Sequence, residues 1–222
     1  MWLFNSSIGR KVIMSVTGIC LILFLTFHMS MNVVAIFSEE GYNMVCEFLG
    51  ANWYAVVATL GLAALAVIHI VYAFILTWQN RKARGNERYA VTEKPGKVEW
   101  ASQNMLVLGI IVIFGLVMHL MDFWAKMMYV DLTGCGDHFY STDGAHWIQY
   151  TFQQPYMVLC YVIWIVALWF HLSHGFWSAL QTIGWNGKIW FNRWKWIGNV
   201  YVTLLCFGFI AVILWFYVKS IM

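Results

Sequence analysis

Charge is what this 222-residue chain most lacks: 13 Lys and Arg and 10 Asp and Glu make up only 10% of it, against 62% hydrophobic residues. Soluble domains carry about 25% charged residues. So few charges cannot cover a folded surface in water, and they exclude disorder and nucleic-acid binding as well. Proline is nearly absent, with two residues, so long helices run uninterrupted. Five cysteines in 222 residues are too sparse for a disulfide-stapled secreted scaffold, and no Cys-x-x-Cys-His motif occurs. What remains is an integral membrane protein, expected to be all-α.

A hydrocarbon core about 30 Å thick takes roughly 20 residues at 1.5 Å each. Five charge-free stretches satisfy this: Val12–Ser38, Phe48–Asn80, Trp100–Met121, Ala145–Gly187 and Trp196–Val218. The fourth is too long for one helix. Pro155 suits a first helical turn and Gly184-Trp185-Asn186-Gly187 signals an end, which trims it to 154–183. The expected helices are 11–37, 52–79, 100–127, 154–183 and 196–219, a single five-helix transmembrane domain spanning 1–222. The first run is too long for a cleaved signal peptide and reads as a retained helix. Trp53, Trp78, Trp100, Trp124, Trp185, Trp196 and Trp215 fall near expected helix ends, as an interfacial aromatic belt requires.

The few charges are sorted. Arg10 and Lys11 precede the first helix; Arg81, Lys82, Arg84, Arg88, Lys94 and Lys97 separate the second from the third; Lys188, Arg193 and Lys195 separate the fourth from the fifth. Only Lys126 and Lys219 fall on the other side, with Glu39, Glu40, Glu47, Asp122, Asp131, Asp137 and Asp143. The positive-inside rule then puts the N-terminus in the cytoplasm and the C-terminus outside.

Seven histidines are present, and His28, His69, His119, His171 and His174 lie within the expected spans. One intramembrane histidine is ordinarily bonded to a hydroxyl or carbonyl of a neighbouring helix. Depth separates this set from that reading. At the helical rise, His28 and His119 sit roughly 25–28 Å from the cytoplasmic ends, and His69 and His171 about 15 Å. Four helices thus offer one histidine each at two shared depths. Imidazoles from facing helices ligate haem iron on both sides, so the pairs predict two b haems about 10–13 Å apart along the membrane normal. His174 lies nearer the surface than His171, where a propionate or water are the alternatives. Gly175, four residues after His171, leaves a stripe open for a flat macrocycle.

These residues, Phe27-His28, Ile68-His69-Ile70-Val71-Tyr72, Met118-His119 and Phe170-His171-Leu172-Ser173-His174-Gly175-Phe176, resemble the dihaem cytochrome b membrane anchor of succinate:quinone oxidoreductases, in its single-chain five-helix form. Ser15-Val16-Thr17-Gly18 in the first helix is similar to that family too. The resemblance covers nearly the whole chain and rests on spacing and topology. It implies His69 and His171 on the inner haem iron, His28 and His119 on the outer, and Ser15, His174 and Gly175 beside the cofactors. It also implies a flavoprotein with FAD and an iron–sulfur subunit on the cytoplasmic side, where succinate and fumarate interconvert. Menaquinone is the implied membrane substrate, the bacterial inner membrane the implied location, and a dimer of the whole complex an implied assembly.

Trp169 occupies the position where some fumarate reductases of this type carry a glutamate linked to proton transfer. Glu47 lies near the family's outer quinone site and is the candidate proton acceptor there, with an ordinary solvated glutamate as the alternative; Glu39, Glu40 and Asp143 follow it. Cys46 and Cys135, both on the outer side, are a possible pair in an oxidising compartment. The runner-up function is the dihaem subunit of a nitrate reductase or formate dehydrogenase, which concentrates its histidines on fewer helices. A transporter is disfavoured, since no helix is broken by Gly or Pro.

Overall fold

The computed structural model describes residues 6–50, 53–84, 99–134 and 140–222. Of the residues singled out in the sequence, Arg88, Lys94, Lys97, Cys135 and Asp137 lie outside those described. Among the described residues there is no strand, and five helices are long and apolar enough to cross a membrane. The all-α membrane bundle expected from composition is the observed fold.

Helix α1 runs Ser7–Phe37, α2 Glu39–Gly50, α3 Trp53–Arg84, α4 Trp100–Gln103 and α5 Met105–His119. A π-helical segment, Leu120–Ala125, joins α5 to α6, Lys126–Thr133. Helix α7 is Gly144–Phe152, α8 Pro155–Thr182 and α9 Trp190–Ile221. Three starts have a clear local cause. The Ser6 side chain accepts from the Gly9 N–H at 2.9 Å to cap α1, the Asp143 side chain caps α7, and Pro155 occupies the first turn of α8, where its missing N–H costs nothing.

Several ends differ from the charge-free windows. Helix α3 continues through Arg81, Lys82 and Arg84, and α9 begins at Trp190, six residues before the expected 196. Charges end a hydrocarbon-compatible stretch without ending a helix, because exposed Lys and Arg are good helix formers. Helices α2 and α7 were not foreseen. They are short and lie beside the spans at the end of the molecule where Lys219 pairs with Glu39. The third span also extends past 127 to Thr133 through the π segment.

Helix α9 packs on α8, α1 and α7; α8 also packs on α1 and α5, while α3 packs on α1. The core holds Ile22, Ile165, Leu168, Leu172, Val202, Leu205, Val212, Ile213 and Phe216, from α1, α8 and α9. Glycines set the closest approaches. A Cβ on Gly198 would meet Phe176 at 2.6 Å, one on Gly208 would meet Met29 at 2.5 Å, and one on Gly115 would meet Trp164 at 1.9 Å. Small residues at such contacts are how helices associate where lipid removes the hydrophobic drive. The outward faces are apolar: Phe27, Leu60, Phe114, Leu204 and Phe207 are all exposed. So are the seven belt tryptophans. Such surface is intolerable in water and ordinary against acyl chains.

Candidate site: two histidine pairs across the bundle

Helix α1 carries His28 and α5 ends on His119. Their ring centres are 5.8 Å apart, with planes at 81°. Around them stand aromatic rings: Phe24 stacks on His28 at 5.4 Å, Phe209 of α9 lies 5.9 Å away, and His119 meets Phe123, Trp164 and Tyr161 at 5.1, 5.7 and 6.3 Å. The Trp164 indole is itself held, donating to the Val112 carbonyl at 3.1 Å. Neither His28 nor His119 has a ring hydrogen bond among the described residues. A neutral imidazole carries one N–H donor and one lone pair, so both pairs of functions stay open.

The second pair is His69 of α3 and His171 of α8, which lie within electrostatic reach of each other. His69 Nδ1 is 3.1 Å from Thr17 Oγ1 of α1. The bland account of an intramembrane histidine therefore holds at one of its two nitrogens. Gly18 makes room: a Cβ there would lie 3.2 Å from His69 Cε1. His171 Nδ1 is buried without a partner, and a Cβ on Gly109 would lie 3.8 Å from its Cε1. A Cβ on Gly175 would meet nothing within 4 Å, so this stripe of α8 is open. Ser15 is buried one turn from Gly18 on α1.

His174 stands apart from His171. Its Nδ1 lies 3.9 Å from Glu99 Oε2, beyond hydrogen-bond length but within ion-pair range. Lys195 donates to the other oxygen, Glu99 Oε1, at 2.6 Å and sits over the Trp177 and Phe191 rings at 4.5 and 4.8 Å. His174 thus belongs to a charged cluster at one end of the bundle.

Among the described residues no three His, Cys, Asp or Glu side chains converge as a metal site. Each histidine pair instead offers two nitrogen ligands, so a metal held there takes its other donors from its own chelate. Two imidazoles on opposite sides of one metal have ring centres roughly 6 Å apart, given metal–nitrogen bonds of about 2 Å. The 5.8 Å of His28 and His119, the orphaned His171 Nδ1 and the aromatic walls fit a flat, apolar macrocycle with two axial imidazoles.

Glu47 is exposed on α2 and not in a loop. It lines an open cleft of about 500 Å³ with Glu40, Asn43, Tyr140 and Asp143. Asn43 ties α2 to α7, donating to Asp143 Oδ1 at 2.7 Å and accepting from the Ala145 N–H at 2.9 Å. Burial pushes the nearby Cys46 thiol above its ordinary value, with Tyr42 and Gly144 hydrogen bonds acting against it.

Asp122, counted with the outer-side acids, is 7% exposed in the π segment directly after His119. Tyr161 donates to its Oδ2 at 3.1 Å and Lys126 to its Oδ1 at 3.4 Å. The available signal was Lys126 four residues on, a spacing that pairs charges on a helix. Trp169 donates its indole N–H to Thr203 Oγ1 at 2.9 Å. No protein-family model, curated protein or solved structure matches the chain.

Proposed function

We propose that the chain is the dihaem cytochrome b anchor of a succinate:quinone oxidoreductase, moving electrons between membrane quinone and a cytoplasmic dehydrogenase or reductase. The observation that carries this reading is the 5.8 Å approach of the His28 and His119 rings, from two different helices, with no ring hydrogen bond at either among the described residues. His69 and His171 form the second pair. The one-histidine-per-helix arrangement favours this family over the nitrate reductase and formate dehydrogenase type.

The chain's own part is to hold and shield. His28 and His119 would bind one b haem, and His69 and His171 the other. A b haem held between two of these imidazoles would supply single-electron exchange. Phe24, Phe123, Trp164 and Phe209 exclude water from the first pair. Lys195 and His174 give the cluster near the second pair two groups that suit an anionic propionate, with Ser15 and Gly175 flanking. Glu47 is the proposed proton acceptor for menaquinol at the opposite end, in the cleft it shares with Glu40 and Asp143. FAD and iron–sulfur clusters belong to the two partner subunits, docked on the basic, cytoplasmic face of a bacterial inner membrane.

The test is a reduced-minus-oxidised visible spectrum of the purified protein in detergent. Two b-type components are expected, one lost in His69→Ala or His171→Ala and the other in His28→Ala or His119→Ala. No b-haem bands in the parent protein would sink the reading. Copurification of succinate- or fumarate-active subunits then separates it from other quinone-linked complexes.

A further inference from the structure

Helix α3 has the least protein around it: no residue of its most apolar segment is buried. Among the described residues, its only side-chain hydrogen bond to another helix joins His69 Nδ1 to Thr17 Oγ1, at 3.1 Å. The direction of that bond follows from the hydroxyl's other neighbours. Thr17 Oγ1 is 2.9 Å from the Ile13 carbonyl and 3.1 Å from the Met14 carbonyl. Carbonyls only accept, and a threonine has a single hydroxyl proton. A proton given back to the helix α1 backbone leaves the oxygen a lone pair for His69, which calls for an N–H on Nδ1.

We infer that Thr17 is a positioning residue that fixes His69 as the Nδ1–H tautomer and leaves Nε2 as its free lone pair. Nε2 is then the ligating atom, and Gly18 is the residue that lets the ring come this close, since a Cβ there would meet Cε1 at 3.2 Å. Thr17 and Gly18 thus act together, one accepting and one yielding space. The other three histidines have no equivalent. His28 and His119 show no ring hydrogen bond among the described residues, and His171 Nδ1 is buried and unpartnered. The four imidazoles are chemically unequal, and His69 alone has its second nitrogen held by protein.

A ligating histidine that donates its other N–H becomes a more basic ligand. A more basic ligand favours the oxidised metal and lowers the reduction potential of its site. Resting on the proposed dihaem reading, this makes the His69–His171 site the one that Thr17 tunes.

The test compares Thr17→Val, which keeps the shape and removes the hydroxyl, with Thr17→Ser, which restores it. Redox titration of the purified protein is expected to show one midpoint rising in Thr17→Val by about 59 mV, a tenfold change in a one-electron equilibrium. The other midpoint stays, and Thr17→Ser returns the first toward its parent value. Two unmoved midpoints in Thr17→Val overturn the inference. A second measurement does not depend on haem: ¹⁵N-histidine NMR of the reduced or haem-free protein in lipid, with His69 identified by its loss in His69→Gln. An Nδ1–H signal in the parent and Thr17→Ser supports the inference. An Nε2–H signal in the parent overturns it, even if absent b-haem bands have already removed the dihaem reading and even if Thr17→Val does not fold.

Discussion

At the residue scale, the side chains that matter are polar groups placed where lipid or core would exclude them, and each is held by a specific neighbour. Asp122 shows this outside the histidine pairs. It is almost fully buried, and its two oxygens take hydrogen bonds from Tyr161 and Lys126. Removing the carboxylate in Asp122→Ala leaves the Tyr161 hydroxyl without its acceptor, at an expected cost of about 1–3 kcal/mol. Thermal denaturation in detergent measures it. Asp131→Ala, whose exposed carboxylate accepts from Ser141, is the control and should change stability by less than about 0.5 kcal/mol. Tyr161→Phe combined with Asp122→Ala should cost less than the sum of the single changes. Equal losses at Asp122 and Asp131 would show that burial of Asp122 has no energetic consequence.

Helix packing sets the next scale. The α5–α8 contact closes over Gly115, whose added Cβ would lie 1.9 Å from the Trp164 indole. Trp164 cannot move freely, because its N–H is bonded to Val112 and its ring faces His119 at 5.7 Å. Gly115→Ala is therefore expected to destabilise the protein by about 1–3 kcal/mol through overpacking and, on the proposed dihaem reading, to lower haem occupancy at the His28–His119 pair before the other. The ratio of the two b components in a redox titration reads this out. An unchanged ratio with a lowered melting temperature would mean that the indole yields without disturbing His119. The π segment after His119 belongs to the same scale. One widened turn there places Asp122 inside the bundle immediately beyond a candidate ligand, and π turns of this kind recur at functional sites. Nothing in hydropathy marks it, since π and α turns bury the same residue types.

The whole molecule is a compact group of α1, α5, α8 and α9, with α3 attached along α1. A group bridging His69 to His171 would tie α3 to α8 as well. Binding to the folded state alone stabilises by about 4 kcal/mol at a thousandfold excess over the dissociation constant. On the proposed dihaem reading, protein produced under haem limitation should melt well below the loaded form in differential scanning, and His69→Ala should recover only part of the difference. Identical melting curves for loaded and depleted protein would contradict a structural role for the group.

The spans were legible because crossing a bilayer is decided residue by residue: the transfer energies of Val12–Ser38 or Trp196–Val218 sum without reference to any neighbour. The scarcity of charge also exposed the histidines, and their spacing along each helix follows from a fixed rise. Helix ends were less legible. Arg81, Lys82 and Arg84 leave hydrocarbon yet remain helical, and α2 and α7 gain their reason to fold from contacts such as Asn43 with Asp143. The Thr17 contact at His69, the angle between the His28 and His119 rings, and the burial of Asp122 belong to the tertiary structure alone. Hydropathy and rise set the depth of a side chain, whereas its partner depends on how helices rotate and how closely small residues such as Gly18, Gly115 and Gly208 let them approach. The sequence by itself determined a charge-poor five-span helical chain with histidines at two depths; only packing decided the neighbours of each imidazole, because those neighbours lie on other helices, dozens of residues away.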